Sequence, residues 1–166
     1  MHTQMTVSQV MHTPSLVLSP RQSVTEALDA LLAAGASAAP VVGNDGRLLG
    51  FLSEHDLLID LWCCDYQPDK PLTVAELMQD EVDALAPGDN LMQLAETICV
   101  DVGSVFPTSD SGSATSLCAL PLRERARRSR QWRPHHYPVV DDGQLVGMVS
   151  RRDLMQALRP LYASLA

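Results

Sequence analysis

Aromatic side chains are nearly missing from this 166-residue chain: Phe, Trp and Tyr make up 4% of it, against 46% hydrophobic residues in all. Its core must therefore be aliphatic, of Leu, Val and Ala, and the composition is that of a globular protein rather than a disordered one. No apolar run reaches the roughly 18–20 residues that span a bilayer. Met1 to Met11 also lacks the basic-then-apolar pattern of a signal peptide, so a cytoplasmic protein with no membrane partner is expected. Cysteine is scarce: Cys63, Cys64, Cys99 and Cys118 form no CxxC pair and no Cys/His zinc spacing, so reduced thiols and no metal are expected. Basic residues are few before Leu122, where only Arg21, Arg47 and Lys70 occur. The net charge of −8 argues against general nucleic-acid binding, although Arg dominates beyond Leu122 and leaves room for a local anion site. There is no Walker loop, no metal-protease motif and no nucleophile elbow at Ser53 or Ser150, so no enzyme is expected.

What the chain does have is a duplication. Pro40-Val41-Val42, Asp45-Gly46, Gly50-Phe51-Leu52-Ser53 and Asp56-Leu57 return as Pro138-Val139-Val140, Asp142-Gly143, Gly147-Met148-Val149-Ser150 and Asp153-Leu154, about 97 positions later. Upstream, Val10-Met11 returns as Leu77-Met78 and Ser19-Pro20 as Ala86-Pro87, at an offset of about 67. Neither half of such a chain need bury a core alone, and ligands can sit between the copies.

Each copy carries the same element signals. Ser23-Val24-Thr25-Glu26 is a capping box, and Val24, Ala27, Leu28, Leu31 and Leu32 follow at helical spacing as one apolar stripe. Leu91, Leu94, Ala95, Ile98 and Cys99 repeat that stripe. The Pro-Val-Val runs predict buried strands, Asp-Gly predicts tight turns, and Leu48–Leu52 and Leu145–Val149 predict the strands that follow. Ser53 and Ser150 stand where strand gives way to a helix, with Leu57/Leu61 and Leu154/Leu158 as core contacts. The expected fold class is α/β of the α+β type: tandem β-α-β-β-α repeats whose sheets pack through their helices into one pseudo-twofold module. Repeat one is placed at 7–62, a linker at 63–73 and repeat two at 74–160.

The growth of the offset puts some 31 extra residues inside repeat two, an insertion at about 101–133. It is Ser- and Gly-rich first, then carries Arg123, Arg125, Arg127, Arg128, Arg130 and Arg133, and is expected to be an exposed loop. Such a loop is tolerated because closure entropy rises by only about 0.6 kcal/mol per doubling of length.

In this doubled order the sequence resembles a stand-alone CBS-domain pair, the tandem module also called a Bateman module, over about Val7 to Pro160 apart from the insertion. The resemblance implies a regulatory module that takes adenine nucleotides (AMP, ADP or ATP) or S-adenosylmethionine between the copies. It also implies a homodimer and an effector protein acted on in trans. The family's hydroxyl-x-x-Asp motif, which holds ribose and phosphates, maps to Ser53/Asp56 and Ser150/Asp153. The residues before Pro-Val-Val flank the base, which brings in Ser37 to Ala39 and His135 to Tyr137, so that Ala39, His136 and Tyr137 join the candidates.

Physical chemistry allows this mapping without requiring it. A helix N-terminus favours an anion, and a carboxylate can accept both hydroxyls of a ribose. Ser-x-x-Asp opening a helix is equally a capping arrangement that needs no ligand. The copies then diverge: Arg151 and Arg152 lie inside the second motif, where their guanidinium forks can pair phosphate, while Glu54 in the first motif repels it. The second cleft is therefore expected to be the main nucleotide site, and the first to be empty or to take a less charged adenosyl ligand. Two other functions stay open: a ligand-free scaffold of the same fold, and an anion or nucleic-acid contact through the Arg-rich insertion. His135-His136, adjacent on a strand, are expected to point to opposite faces and to bind no metal.

Overall fold

The structure, a computed structural model, describes residues 5–99, 121 and 135–163. The insertion's six arginines and Cys118 lie outside the described residues. In chain order come a 3-10 turn at Val7–Gln9, α1 (Val24–Ala34), β1 (Ala38–Val42), β2 (Leu48–Ser53), α2 (Glu54–Cys63), α3 (Val74–Leu77), α4 (Leu91–Cys99), β3 (His136–Asp141), β4 (Gln144–Ser150) and α5 (Arg151–Ala163). Each half holds one antiparallel hairpin, β1 with β2 and β3 with β4. The leading strand expected in each repeat is a single parallel bridge, Leu18 to Val41 in one and Leu85 to Val139 in the other.

Local signals act as their chemistry dictates. Ser23 and Glu26 form the reciprocal cap of α1, and Gly35 ends that helix in the left-handed conformation at φ +59°. Both hairpins turn at a glycine with positive φ, Gly46 and Gly143. The apolar stripe of α1 is narrower than expected, however. Ala27 and Leu31 are buried, while Leu28 and Leu32 are 39% and 71% exposed. A two-stranded hairpin covers one line of a helix, and Leu28 lies instead over an outer groove shared with Leu57, Leu58 and Leu61 of α2.

Two devices join the halves, and helix patterns reveal neither. The first is an exchange of leading segments. Val7 packs with Leu91, Leu94, Tyr137, Val139, Val149 and Leu154, whereas Val74 packs with Leu18, Ala27, Leu31, Ala39, Val41, Leu52 and Leu57. The start of each repeat thus completes the core of the other. Backbone bonds tie it there in matching pairs: the Val7 amide donates to Asp89 and the Val74 amide to Gln22, both at 2.9 Å. The second device pairs the two hairpin turns, where the Leu48 amide donates to Gly143 at 3.1 Å and the Leu145 amide to Gly46 at 3.2 Å.

Candidate functional site

The two Ser-x-x-Asp motifs sit at the starts of α2 and α5 and are capping boxes in fact. The Ser53 amide and hydroxyl both donate to Oδ2 of Asp56, and the Asp56 amide donates back to Ser53 Oγ at 3.3 Å. Ser150 and Asp153 repeat the arrangement, with the Asp153 amide to Ser150 Oγ at 3.2 Å. The first amide of each helix is also engaged: Glu54 donates to the Ser37 carbonyl at 2.9 Å and Arg151 to the His135 carbonyl at 3.1 Å. These helix starts therefore offer fewer amides to an anion than the sequence suggests.

The exchanged segments bring a side chain to each Asp from the other repeat. Gln79 pairs with Phe51 through two backbone bonds, and its Nε2 donates to Oδ1 of Asp56 at 2.6 Å. His12 pairs with Met148 in the same way, and its Nε2 lies 3.2 Å from Oδ2 of Asp153. The two positions are 67 apart, each directly after a repeated Met, so the repeat itself held the signal by which both could have been found.

These contacts set the electrostatics of the second site. Burial opposes ionisation of Asp153, but the Ser150 hydroxyl and amide and the neighbouring His12 outweigh it and hold its carboxyl below the ordinary value. His136 is held below its ordinary value by burial first, then by His135 and His12, against a smaller pull from Asp153.

Two cavities open between the repeats. The larger, of about 600 Å³, is lined by Ser37, Ala38, Phe51, Ser53, Glu54, His55 and Asp56 of repeat one, and by Gln79, Glu81, Val82, Asp83, His135 and His136 of repeat two. The smaller, of about 240 Å³, includes His12, Ser37, Ala38, His136, Met148 and Ser150. Ser37, Ala38 and His136 border both.

The sequence-derived candidates divide accordingly. Ser53, Asp56 and His136 meet at the larger cavity, and Ser150 and His136 at the smaller. Ala39 and Tyr137 are buried in the two cores, because strand alternation turns Ala38 and His136 to the clefts instead. Arg151 is half-buried and Arg152 exposed at the start of α5, and neither is among the residues lining the two cavities. Asp153 is a half-buried neighbour of the smaller cavity, beneath His12. The second cleft, expected to be the main nucleotide site, is the smaller of the two. His135 and His136, expected on opposite faces, both line the larger cavity because His135 precedes the strand. Among the described residues no group of three His, Cys, Asp or Glu is placed to hold a metal ion, and no helix is long and apolar enough to cross a membrane.

Comparison with known proteins gives these features a family. The A-adding tRNA nucleotidyltransferase of Aquifex aeolicus (strain VF5) is 27% identical over 160 residues, 95% of this chain; the chain spans only 15% of that relative's length. Among solved structures, CBSX2 in complex with AMP is 24% identical, with 95% of this chain and 98% of the other covered at a TM-score of 0.63. CBSX2 from Arabidopsis thaliana is 23% identical, with 97% and 99% covered, also at a TM-score of 0.63. The CBS domain family model matches residues 7–62 and 123–160. With its two hairpins, exchanged leading segments and paired Ser-x-x-Asp helix starts, this chain belongs to the CBS domain family.

Proposed function

We propose that the chain is a non-enzymatic regulatory module that holds adenosine compounds between its repeats and signals to an effector protein in trans. The observation that carries this reading is the Ser53–Asp56 pair at the edge of a cavity walled by both repeats. At about 600 Å³ it falls within the roughly 300–1,000 Å³ of small-molecule sites. The AMP complex of CBSX2 supports an adenine nucleotide as the ligand class.

Charge divides the clefts. Glu54, Asp56, Glu81 and Asp83 line the larger one, so it takes an adenosine compound with little negative charge: adenosine itself, or S-adenosylmethionine with its sulfonium. AMP, ADP and ATP belong to the second cleft, where Ser150 and Asp153 hold the ribose and Arg151 and Arg152, which lie outside its lining, must turn toward it to supply cations for phosphate. That cleft must widen from about 240 Å³ to admit them. Ligand preference for one arrangement of the repeats, or of two protomers in a homodimer, then shifts a population that the effector reads.

Calorimetry with adenosine, S-adenosylmethionine, AMP, ADP and ATP tests this. Asp56→Ala is expected to remove binding of the first two, and Asp153→Ala of the last three. Silence from all five sinks the proposal.

A second reading, a scaffold that keeps the fold without a ligand, draws on the fact that both Asp side chains already have protein partners. Melting temperature discriminates, because a ligand of the native state must raise it.

A further inference from the structure

The two oxygens of Asp56 serve different purposes. Oδ2 accepts from the Ser53 amide and hydroxyl and belongs to the helix cap. Oδ1 accepts from Gln79 Nε2 at 2.6 Å, and Asp56 and Gln79 line the same cavity. A ribose diol gripped by a carboxylate donates from two adjacent hydroxyls. With Oδ2 committed to its own helix, both hydroxyls of the diol must use the two lone pairs of Oδ1, one of which Gln79 already holds, whereas the single hydroxyl of a deoxyribose can use the other.

We propose that Gln79 is a resident competitor in the first cleft: a ribose must displace its amide from Asp56 Oδ1, and this competition sets how strongly the cleft prefers ribose over deoxyribose nucleosides. The proposal rests on the reading of this cleft as an adenosine site. Three observations carry it. The Asp56 side chain is largely buried, the residue being 8% exposed, so its charge needs donors at both oxygens, and in the unliganded protein the amide supplies the second. The Gln79 backbone is fixed to Phe51 by bonds of 2.8 and 2.9 Å, so exchange needs only the side chain to swing. The second cleft is built otherwise, because His12, at the matching backbone position, lies on Oδ2, the oxygen already shared with Ser150. The competition is therefore particular to the first cleft.

Release of Gln79 also breaks a side-chain tie between the repeats, since Gln79 comes from the exchanged segment of repeat two and Asp56 from repeat one. Ligand entry thus loosens one cross-repeat contact at the point where the cleft must adjust.

The test uses the full chain with adenosine and 2′-deoxyadenosine, uncharged probes that the acidic lining does not repel. Gln79→Ala is expected to bind adenosine about tenfold more tightly than the parent, the equivalent of one charge-assisted hydrogen bond no longer to be displaced. The preference for adenosine over 2′-deoxyadenosine should widen by a similar factor. Gln79→Met, which keeps the length of the side chain without the donor, should do the same if the alanine variant folds poorly. A variant that only softens the cleft shifts both nucleosides alike, so the ratio separates competition from loosening. Weaker adenosine binding in both variants would make Gln79 a ligand contact and overturn the proposal, as would an unchanged ratio. If Asp56→Ala abolishes adenosine binding while the Gln79 variants change nothing, the site stands and the competitor falls. If the parent and both Gln79 variants leave both nucleosides unbound, or Asp56→Ala binds adenosine as the parent does, the adenosine reading itself falls, and the competitor with it.

Discussion

Gly50 lies so close to Gln79 that a Cβ added at Gly50 would sit 2.6 Å from the Gln79 carbonyl oxygen and 2.7 Å from the sulfur of Met78. The glycine in the repeated Gly-hydrophobic-hydrophobic-Ser run is thus the place where the other repeat's leading segment passes over β2. Gly50→Ala is expected to destabilise the protein by about 1–3 kcal/mol, because backbone must move to admit the methyl group. Gly147→Ala should cost less, since the nearest atom there is the flexible Met11 sulfur at 3.0 Å. Denaturant midpoints of the two variants check the order.

The two motif aspartates should differ in their effect on stability. Asp56 is buried and bonded to both Ser53 and Gln79, whereas Asp153 is half-buried beneath an exposed His12. Asp56→Ala leaves donors of Ser53 and Gln79 without their acceptor and is expected to cost about 1–3 kcal/mol. Asp153→Ala should cost less, by thermal or urea unfolding of the unliganded protein.

Along α1 two adjacent leucines should respond oppositely. Leu31→Ala, in the core, is expected to cost about 2–5 kcal/mol. Leu32→Ala, on the open face, should stay within about 0.5 kcal/mol. Equal losses at both would mean that α1 is covered on its outer side in solution.

Acidification should weaken the fold below the ordinary histidine value of 6.5 through His136. Its pKa is depressed in the folded protein, so between that lowered value and 6.5 the unfolded chain binds more protons than the native one. This contribution is complete above 6.5 and fades as the pH falls. Asp153 acts in the same sense much lower, its contribution being lost as pH falls below the ordinary 3.8. His136→Gln should flatten the upper limb of a melting-temperature profile against pH and leave the lower one intact.

Val7 offers a check on the exchange of leading segments. By sequence it belongs to the first repeat, but it is wholly buried against Leu91, Leu94 and Leu154. Val7→Ala should therefore raise amide exchange in β3, β4 and α5 more than in β1, β2 and α2.

The elements were legible where the signal is local. The Ser23–Glu26 cap, the glycine turns at Gly46 and Gly143, and the helices after Ser53 and Ser150 need only neighbouring residues, and the chain forms all of them. The width of the α1 stripe was not legible, because burial of Leu28 and Leu32 depends on what packs beside them rather than on spacing. The candidate site was legible in half. Ser53, Asp56, Ser150 and His136 border the clefts, while Ala39 and Tyr137 face the cores, since a shift of one residue along a strand reverses the side it faces.

By itself the sequence determined that two copies of one unit exist, which residues cap their helices, and that a Ser and an Asp open the last helix of each. Those outcomes rest on hydrogen bonds and dihedral preferences within a few residues. Tertiary structure alone decided that each repeat lends its first residues to the other, that Gln79 and His12 therefore reach the opposite Asp, and that the roomier cleft between the repeats is the one bordered by Ser53 and Asp56. Contacts between residues 23 or 141 positions apart, as in Asp56 with Gln79 and His12 with Asp153, depend on how the halves are wound together, which no periodicity along the chain encodes.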